Sequence, residues 1–236
     1  METTNVQLTR PAPTGASAWL PLAAVAGPVL FTLTWFVLGF VSPGYQMWDI
    51  HVEEYSAISQ PISGLGLGST APIMNSVFLI SGILVIIGAI GIFRSIPELS
   101  DRKRRVLTCL LALHGVGAVI DGLFTLESIM VHLLGFTLAL SPIVTFLVLQ
   151  PVLLRIPRYE RFARWLRVAS IATLLLAVLH FATFNPEAAG EGTGVAGLTQ
   201  RILIVQLQAW IVAFAWLSSG YRGKAPTSVG PFTETA

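Results

Sequence analysis

Six long apolar runs separated by polar connections dominate the pattern of this chain; they cover roughly residues 18–41, 72–93, 106–126, 129–149, 162–184 and 198–219. A membrane span needs about 20 mainly apolar residues to cross about 30 Å of hydrocarbon, and each run meets that length. Within lipid every backbone polar group must be satisfied internally, and none of the runs alternates as barrel strands do, so all six are predicted as helices. The pattern predicts an all-α polytopic membrane protein: an N-terminal segment 1–17, a six-helix transmembrane bundle 18–220 and a tail 221–236. One connection, 42–71, is far longer than the others. Pro28 and Pro142 fall inside the first and fourth runs and predict kinks. The first run is too long for a signal peptide and lacks a small-residue cleavage site, so it reads as a retained anchor. The tail, with its Pro, Ser, Thr and Gly, reads as disordered.

Composition agrees. Hydrophobic residues make up 54% and charged residues 11%, with a mean hydropathy of +0.75, whereas soluble domains carry about 25% charge. This excludes a disordered chain, a nucleic-acid binder and an ordinary cytosolic enzyme. Cys109 is the single cysteine, which excludes an intramolecular disulfide and any cysteine-rich metal site; near one end of an apolar span, it is expected to be a small buried residue.

The distribution of charge matters more than the net value of +2. Of the 14 basic residues, all but Arg201 lie before the first run, after the sixth, or in and beside the connections 94–105 and 155–167. The alternate connections, 42–71, 125–128 and 185–197, contain no Lys or Arg. The positive-inside rule therefore predicts that both termini are cytoplasmic. The basic connections are expected to meet anionic lipid headgroups, and Trp19, Tyr45, Trp48, Trp165 and Tyr221 to form interfacial belts. Arg far outnumbers Lys and Ala is abundant, which fits a GC-rich bacterial genome and a multi-pass plasma (inner) membrane protein.

Candidate chemistry concentrates in the outer half of the bundle. Ionisable residues inside spans are costly and default to functional hypotheses. Asp121 lies near the outer end of the third span, with His114 two turns deeper on the same face. His132 opens the fourth span, His180 lies near the outer end of the fifth, and Arg201 opens the sixth. Arg201 is expected to pair with an acidic group, Asp121 first, because a lone membrane cation needs a partner. His114 is placed to hydrogen-bond a neighbouring helix. The outer connection carries Ser56, Ser59 and Ser63 around Pro61 and the alternating Gly64, Gly66 and Gly68. It reads either as a loop packed across the helix ends or as a lid offering hydroxyls to a ligand.

Four segments together resemble a six-span family designated domain of unknown function 998: "SAISQPISGLGLG" before the second span, "DGLF" closing the third, His132 opening the fourth, and "GLTQR" (197–201) opening the sixth. The resemblance covers about residues 18–220 and implies six spans with candidate positions, but no mechanism. Where that family ends its third span on Gly-aromatic-Pro, this chain has Leu123-Phe124-Thr125.

The function these features favour is binding or transport of a small molecule or lipid at a polar pocket formed by Asp121, His132, His180, Arg201, Ser59 and Ser63. The alternatives are a structural or assembly protein without chemistry and a membrane-embedded metal-dependent hydrolase using His114, His132, His180 and Asp121. A haem carrier is a further class, requiring histidines at matched depth. No metal is expected, because the i,i+4 histidine spacing of zinc helices is missing. No cofactor is expected either: Gly64-x-Gly66-x-Gly68 lacks the strand that a nucleotide-binding turn follows.

Overall fold

The computed structural model describes residues 19–219; the segment 1–17 and the tail, Tyr221 with it, lie outside them. Six helices are long and apolar enough to cross a membrane: Leu20–Val41, Gly68–Arg94, Asp101–Leu123, Leu126–Leu153, Pro157–Thr183 and Ala196–Ser219. The shortest has 22 residues, which at about 1.5 Å per residue clears the hydrocarbon thickness. In chain order the regular elements are α1 (Ala23–Val41), β1 (Tyr45–Met47), β2 (Ile50–Val52), α2 (Ala71–Arg94), α3 (Asp101–Leu123), α4 (Ile129–Ala139), α5 (Pro142–Leu153), α6 (Glu160–Thr183), α7 (Pro186–Gly190) and α8 (Ala196–Ser219). The two strands form one small antiparallel hairpin that pairs Tyr45 with Val52 and Met47 with Ile50.

Local chemistry sets the helix ends. Pro72 sits in the first turn of α2, where its missing N–H would have no partner anyway. Ser100 caps α3 by accepting from the Lys103 N–H, and Asn185 caps α7 by accepting from Glu187 and Ala188. The fourth span is two helices. Pro142 has no N–H to give the Leu138 carbonyl, and the chain crosses residues 140–141 on tight i→i+3 bonds: Leu140 N–H to Thr137 O, Ser141 N–H to Leu138 O and Ile143 N–H to Leu140 O, at 3.0–3.2 Å. Pro28 has no such effect, and α1 runs through it unbroken.

The helices close into a ring: α1 packs on α2, α2 on α3, α3 on α4, α5 on α6, α6 on α8, and α8 back on α1. Lipid offers apolar side chains no reason to leave it, so close packing of small residues drives helix contact in a membrane. Gly82 of α2 and Gly115 of α3 meet in this way, and a methyl group on either would overlap the other's carbonyl oxygen. Two apolar clusters fill the ring. One, around Phe93, Phe146, Tyr159 and Phe214, lies at the end bearing Arg94–Arg105 and Arg155–Arg167, here called the basic end. The other, around Trp35, Tyr55, Ile62, Leu65 and Met74, lies at the opposite, loop end. Large apolar side chains such as Leu33, Phe40, Ile83, Leu175 and Trp216 are exposed on the outside of the ring, where they contact the bilayer.

Basic residues at the basic end also join its connections. Arg104 donates to the carbonyls of Phe93, Ile96 and Leu99 at 3.0–3.2 Å, and Arg158 donates to Ser95 O at 3.0 Å. Two expectations are corrected. Cys109 is exposed on α3, because its position faces outward from the ring. Tyr45 is buried against Gly64 because the hairpin folds it inward, whereas Trp19, Trp48 and Trp165 are exposed.

If the Gly82–Gly115 contact sets the α2–α3 spacing, Gly82→Val should destabilise the detergent-solubilised protein by about 1–3 kcal/mol, the usual overpacking cost. Ile83→Val, one position on but lipid-facing, should change it by less than about 0.5 kcal/mol. Thermal melts of the two variants check this.

Candidate functional site

The connection between α1 and α2 builds most of the loop end. After the hairpin, residues Ile62–Gly66 form a 3-10 turn, all five buried among the helix ends. Buried irregular backbone needs its polar groups paired, and side chains from α8 do much of this. The Ile62 N–H donates to Gln200 Oε1 at 2.6 Å. Arg201 Nη1 donates to the carbonyls of Ala57 (2.7 Å), Gln60 (3.0 Å) and Gly197 (2.9 Å), and Nη2 donates to the Tyr55 hydroxyl. Tyr55 in turn donates to Pro61 O at 3.0 Å. The guanidinium also lies 5.3 Å from the Trp35 ring centroid and 5.7 Å from that of Tyr55, within cation–π range. Burial pushes the Tyr45 and Tyr55 phenols up from their ordinary value; for Tyr55 the adjacent Arg201 charge pulls the other way.

The expected ion pair between Arg201 and Asp121 is therefore not formed. Carbonyl dipoles of the 55–60 segment and the first turn of α8, with the Tyr55 hydroxyl and two aromatic faces, meet the Nη groups instead, while Nε has no hydrogen-bond partner among the described residues. Ser59 has a similar role: its hydroxyl donates to Gly192 O at 2.8 Å, while Gln60 Nε2 donates to Ala189 O at 2.5 Å. Both tie the long connection to the α7 region.

Asp121, His132 and Ser63, from three separate segments, do come together. His132 Nδ1 donates to Phe124 O at 2.8 Å, a carbonyl left open where α3 ends. This fixes the neutral ring with its proton on Nδ1, so Nε2 accepts from the Ser63 hydroxyl at 2.8 Å. Asp121 Oδ1 lies 3.6 Å from His132 Nδ1, beyond hydrogen-bond length, and has no hydrogen-bond partner among the described residues. The carboxylate fits because residue 135 is glycine; any Cβ there would strike Asp121 Oδ1. All three side chains are at most 6% exposed.

The other histidines stand apart. His114 Nδ1 donates to Ala139 O at 2.5 Å, the carbonyl freed by the break before Pro142, and so bonds the neighbouring helix as expected. His180 Nδ1 lies 3.4 Å from the Thr199 hydroxyl, among the rings of Phe136, Phe181 and Phe184. Among the described residues no three His, Cys, Asp or Glu side chains converge to hold a metal ion. The alternative ligand set His114, His132, His180 and Asp121 is thus not assembled, because each histidine bonds a different neighbour.

Two cavities adjoin this cluster. The inner, about 40 Å³, is lined by Phe31, Ser81, His114, Asp121 and Gln208 among others; it has room for a few waters at most. The larger, about 200 Å³, lies between α4 and α6 and is walled by Leu133, Phe136, Phe181 and Phe184, with His132 and His180. Ser63, Phe136 and Gln200 line both. The break at 140–141 explains the larger one: α4 packs on α3 while α5 packs on α6, leaving a cleft between α4 and α6 beyond the break. Leu133 and Phe181, 42% and 46% exposed, stand at its mouth toward the bilayer.

Sequence reasoning missed Gln200, Phe124, Tyr55, Trp35 and Gln60. Gln200 carried a usable signal, a polar residue beside Arg201 at the start of an apolar span. Phe124 carried none, since it contributes only a carbonyl.

Six apolar helices long enough to cross a membrane, packed as one bundle, define a polytopic α-helical membrane protein. Residues 25–217 match the family described as "Protein of unknown function (DUF998)", and the chain belongs to that family. No curated protein and no solved structure matches it.

Removing the Arg201 guanidinium takes a charged donor from the carbonyls of Ala57, Gln60 and Gly197, and a hydrogen bond to a charged group is worth about 1.5–3 kcal/mol. Arg201→Ala should lower the melting temperature and expose the 55–60 segment to protease. Arg201→Lys should rescue little, because an ammonium cannot reproduce the planar fork. Since Arg201 and Asp121 share no partner, a double-mutant cycle with Asp121→Asn should be additive within about 0.5 kcal/mol.

Proposed function

We propose that the protein binds an amphipathic, membrane-soluble molecule, with an acyl or similar chain in the cleft between α4 and α6 and a polar head at Ser63, His132 and Gln200. One observation carries the reading: an apolar cleft of about 200 Å³, flanked by lipid-exposed side chains, ends on a few convergent polar groups. That combination is the usual make-up of a ligand site. The volume is below the roughly 300–1,000 Å³ of drug-sized pockets, which suits one chain segment beside its head rather than a whole lipid. His180 contributes to the polar wall, while Ser59 and Arg201 hold the connection that forms its roof.

In this reading the site lies in the outer half of a bacterial plasma membrane protein with both termini inside, and its basic end meets anionic headgroups. The support is the placement of 13 of the 14 basic residues on one side of the span pattern. Reporter fusions after Gly68 and Gly192 should report outside, and those after Lys103 and Arg158 inside; an inside signal at Gly192 contradicts the orientation.

Binding is tested on protein purified in nanodiscs with a fluorescent fatty-acyl probe. Leu133→Trp, which fills the mouth of the cleft, should weaken binding by about tenfold, equivalent to about 1.4 kcal/mol. Ile83→Trp, on the bilayer face of α2, should leave it unchanged. Equal affinity for all three proteins would refute the site.

A further inference from the structure

The cluster at the head of the cleft has the arrangement needed to make a serine hydroxyl nucleophilic. Ser63 Oγ donates to His132 Nε2 at 2.8 Å. The Phe124 carbonyl, 2.8 Å from Nδ1, holds the imidazole in the tautomer that can take the Ser63 proton. The Asp121 carboxyl group, whose Oδ1 lies 3.6 Å from Nδ1 and has no hydrogen-bond partner among the described residues, faces the side of the ring on which positive charge appears once that proton is transferred. These are the roles of nucleophile, base and orienting group that define acyl-transfer sites on unrelated folds.

A fourth part is also present. Gln200 Oε1 accepts from the Ile62 N–H at 2.6 Å, which fixes the orientation of its amide because only the oxygen can accept. The Nε2 group is thereby turned away from that backbone, and it makes no hydrogen bond among the described residues although Gln200 lines both cavities. Ser63 and Gln200 line the same two cavities, and an amide N–H aimed into that space can stabilise the oxyanion of a tetrahedral intermediate.

We propose that Ser63 and His132 are catalytic residues for acyl transfer from a carboxylic ester of a membrane lipid, with Asp121 as a positioning residue and Gln200 as oxyanion donor. The proposal rests on the lipid-binding reading, since the α4–α6 cleft is what brings an acyl chain to Ser63. Ser63 Oγ attacks the ester carbonyl carbon as its proton passes to His132 Nε2, and the carbonyl π pair moves to oxygen beside Gln200 Nε2. Collapse breaks the bond to the alkoxy oxygen, which leaves as an alcohol carrying the proton from His132. Water then attacks the acyl-Ser63 ester, giving its proton to His132 Nε2; collapse returns that proton to Ser63 Oγ and releases the carboxylic acid. No oxidant or metal enters the balance.

An ordinary structural hydroxyl does not react with a long-chain alkyl fluorophosphonate, whereas a serine activated by a base does. Purified wild-type protein in nanodiscs should acquire one phosphonate adduct, located on Ser63 by peptide mass spectrometry, and should hydrolyse a medium-chain p-nitrophenyl ester. Ser63→Ala should abolish both. His132→Gln should slow labelling by about 100-fold or more, the contribution expected of a general base. Asp121→Asn should lower kcat about tenfold or more with KM unchanged, a split that general loss of structure would not give. Wild-type protein that binds the acyl probe but shows neither adduct nor turnover would overturn the acyl-transfer proposal and leave the binding reading standing. Labelling of Ser63 that persists unchanged in His132→Gln would also overturn it. An adduct and ester turnover without probe binding would instead remove the proposed cleft, and with it the lipid identity of the substrate.

Discussion

A buried cation without a carboxylate governs the loop end of this protein. Arg201 sits at the start of α8 and is 7% exposed. Its charge is balanced by the carbonyls of Ala57, Gln60 and Gly197 and by the ring faces of Trp35 and Tyr55. Two of those carbonyls, of Ala57 and Gln60, are available because the 55–60 segment is not helical, and the same segment leads directly into the turn that carries Ser63. The cost of the charge and the placement of Ser63 are thus one problem with one solution. A carboxylate partner would have met the first need and done nothing for the second. It is the diffuse, forked character of guanidinium that lets one side chain hold several backbone groups at once.

The second determinant is the interruption at 140–141. A continuous fourth helix would pack along a single neighbour; the break lets α4 follow α3 and α5 follow α6. It also frees the Ala139 carbonyl, which His114 then binds. The end of α3 has a matching arrangement, with His132 on the Phe124 carbonyl. Two histidines therefore take similar places, each donating Nδ1 to a carbonyl released where a helix stops. They differ in what Nε2 meets: for His132 it is a serine hydroxyl at the head of an apolar cleft. The chemistry that distinguishes them lies in the neighbour supplied by a distant part of the chain.

The sequence made the six apolar helices legible because length and hydropathy are properties of each run by itself, and Pro142 announced the irregularity in the fourth. It also marked Arg201, Asp121, His132 and Ser63 as unusual, since the cost of a polar group in hydrocarbon can be read residue by residue. What it did not yield was the pairing. Arg201 was expected to find Asp121 because residue types are visible in a sequence, whereas the carbonyls that bind it belong to residues of any type. Asp121 lies instead beside His132, in space cleared by Gly135. The cleft was illegible for a similar reason: it is the gap left when two half-helices choose different neighbours, and no residue encodes a gap. Tyr45 and Cys109 were misplaced because near-uniform apolar runs and interfacial aromatics carry little information about which way a side chain faces.

The separation between partners at the loop end also bears on biosynthesis. The Ala57 carbonyl and the guanidinium that binds it are 144 residues apart. At about 5–20 residues per second, translation leaves the 55–60 segment waiting on the order of ten seconds for Arg201 and Gln200. Until α8 enters the bilayer, the Ala57 and Gln60 carbonyls lack their guanidinium donor, and the turn that carries Ser63 lacks the Gln200 acceptor for its Ile62 N–H. The last helix to be inserted is therefore the one that closes the ring against α1 and locks the connection that precedes α2. A nascent chain stopped after five spans would carry its histidines and aspartate in the membrane while the serine's turn and the segment leading into it lacked their hydrogen bonds with Gln200 and Arg201, so the complete arrangement appears only in molecules whose synthesis and insertion are finished.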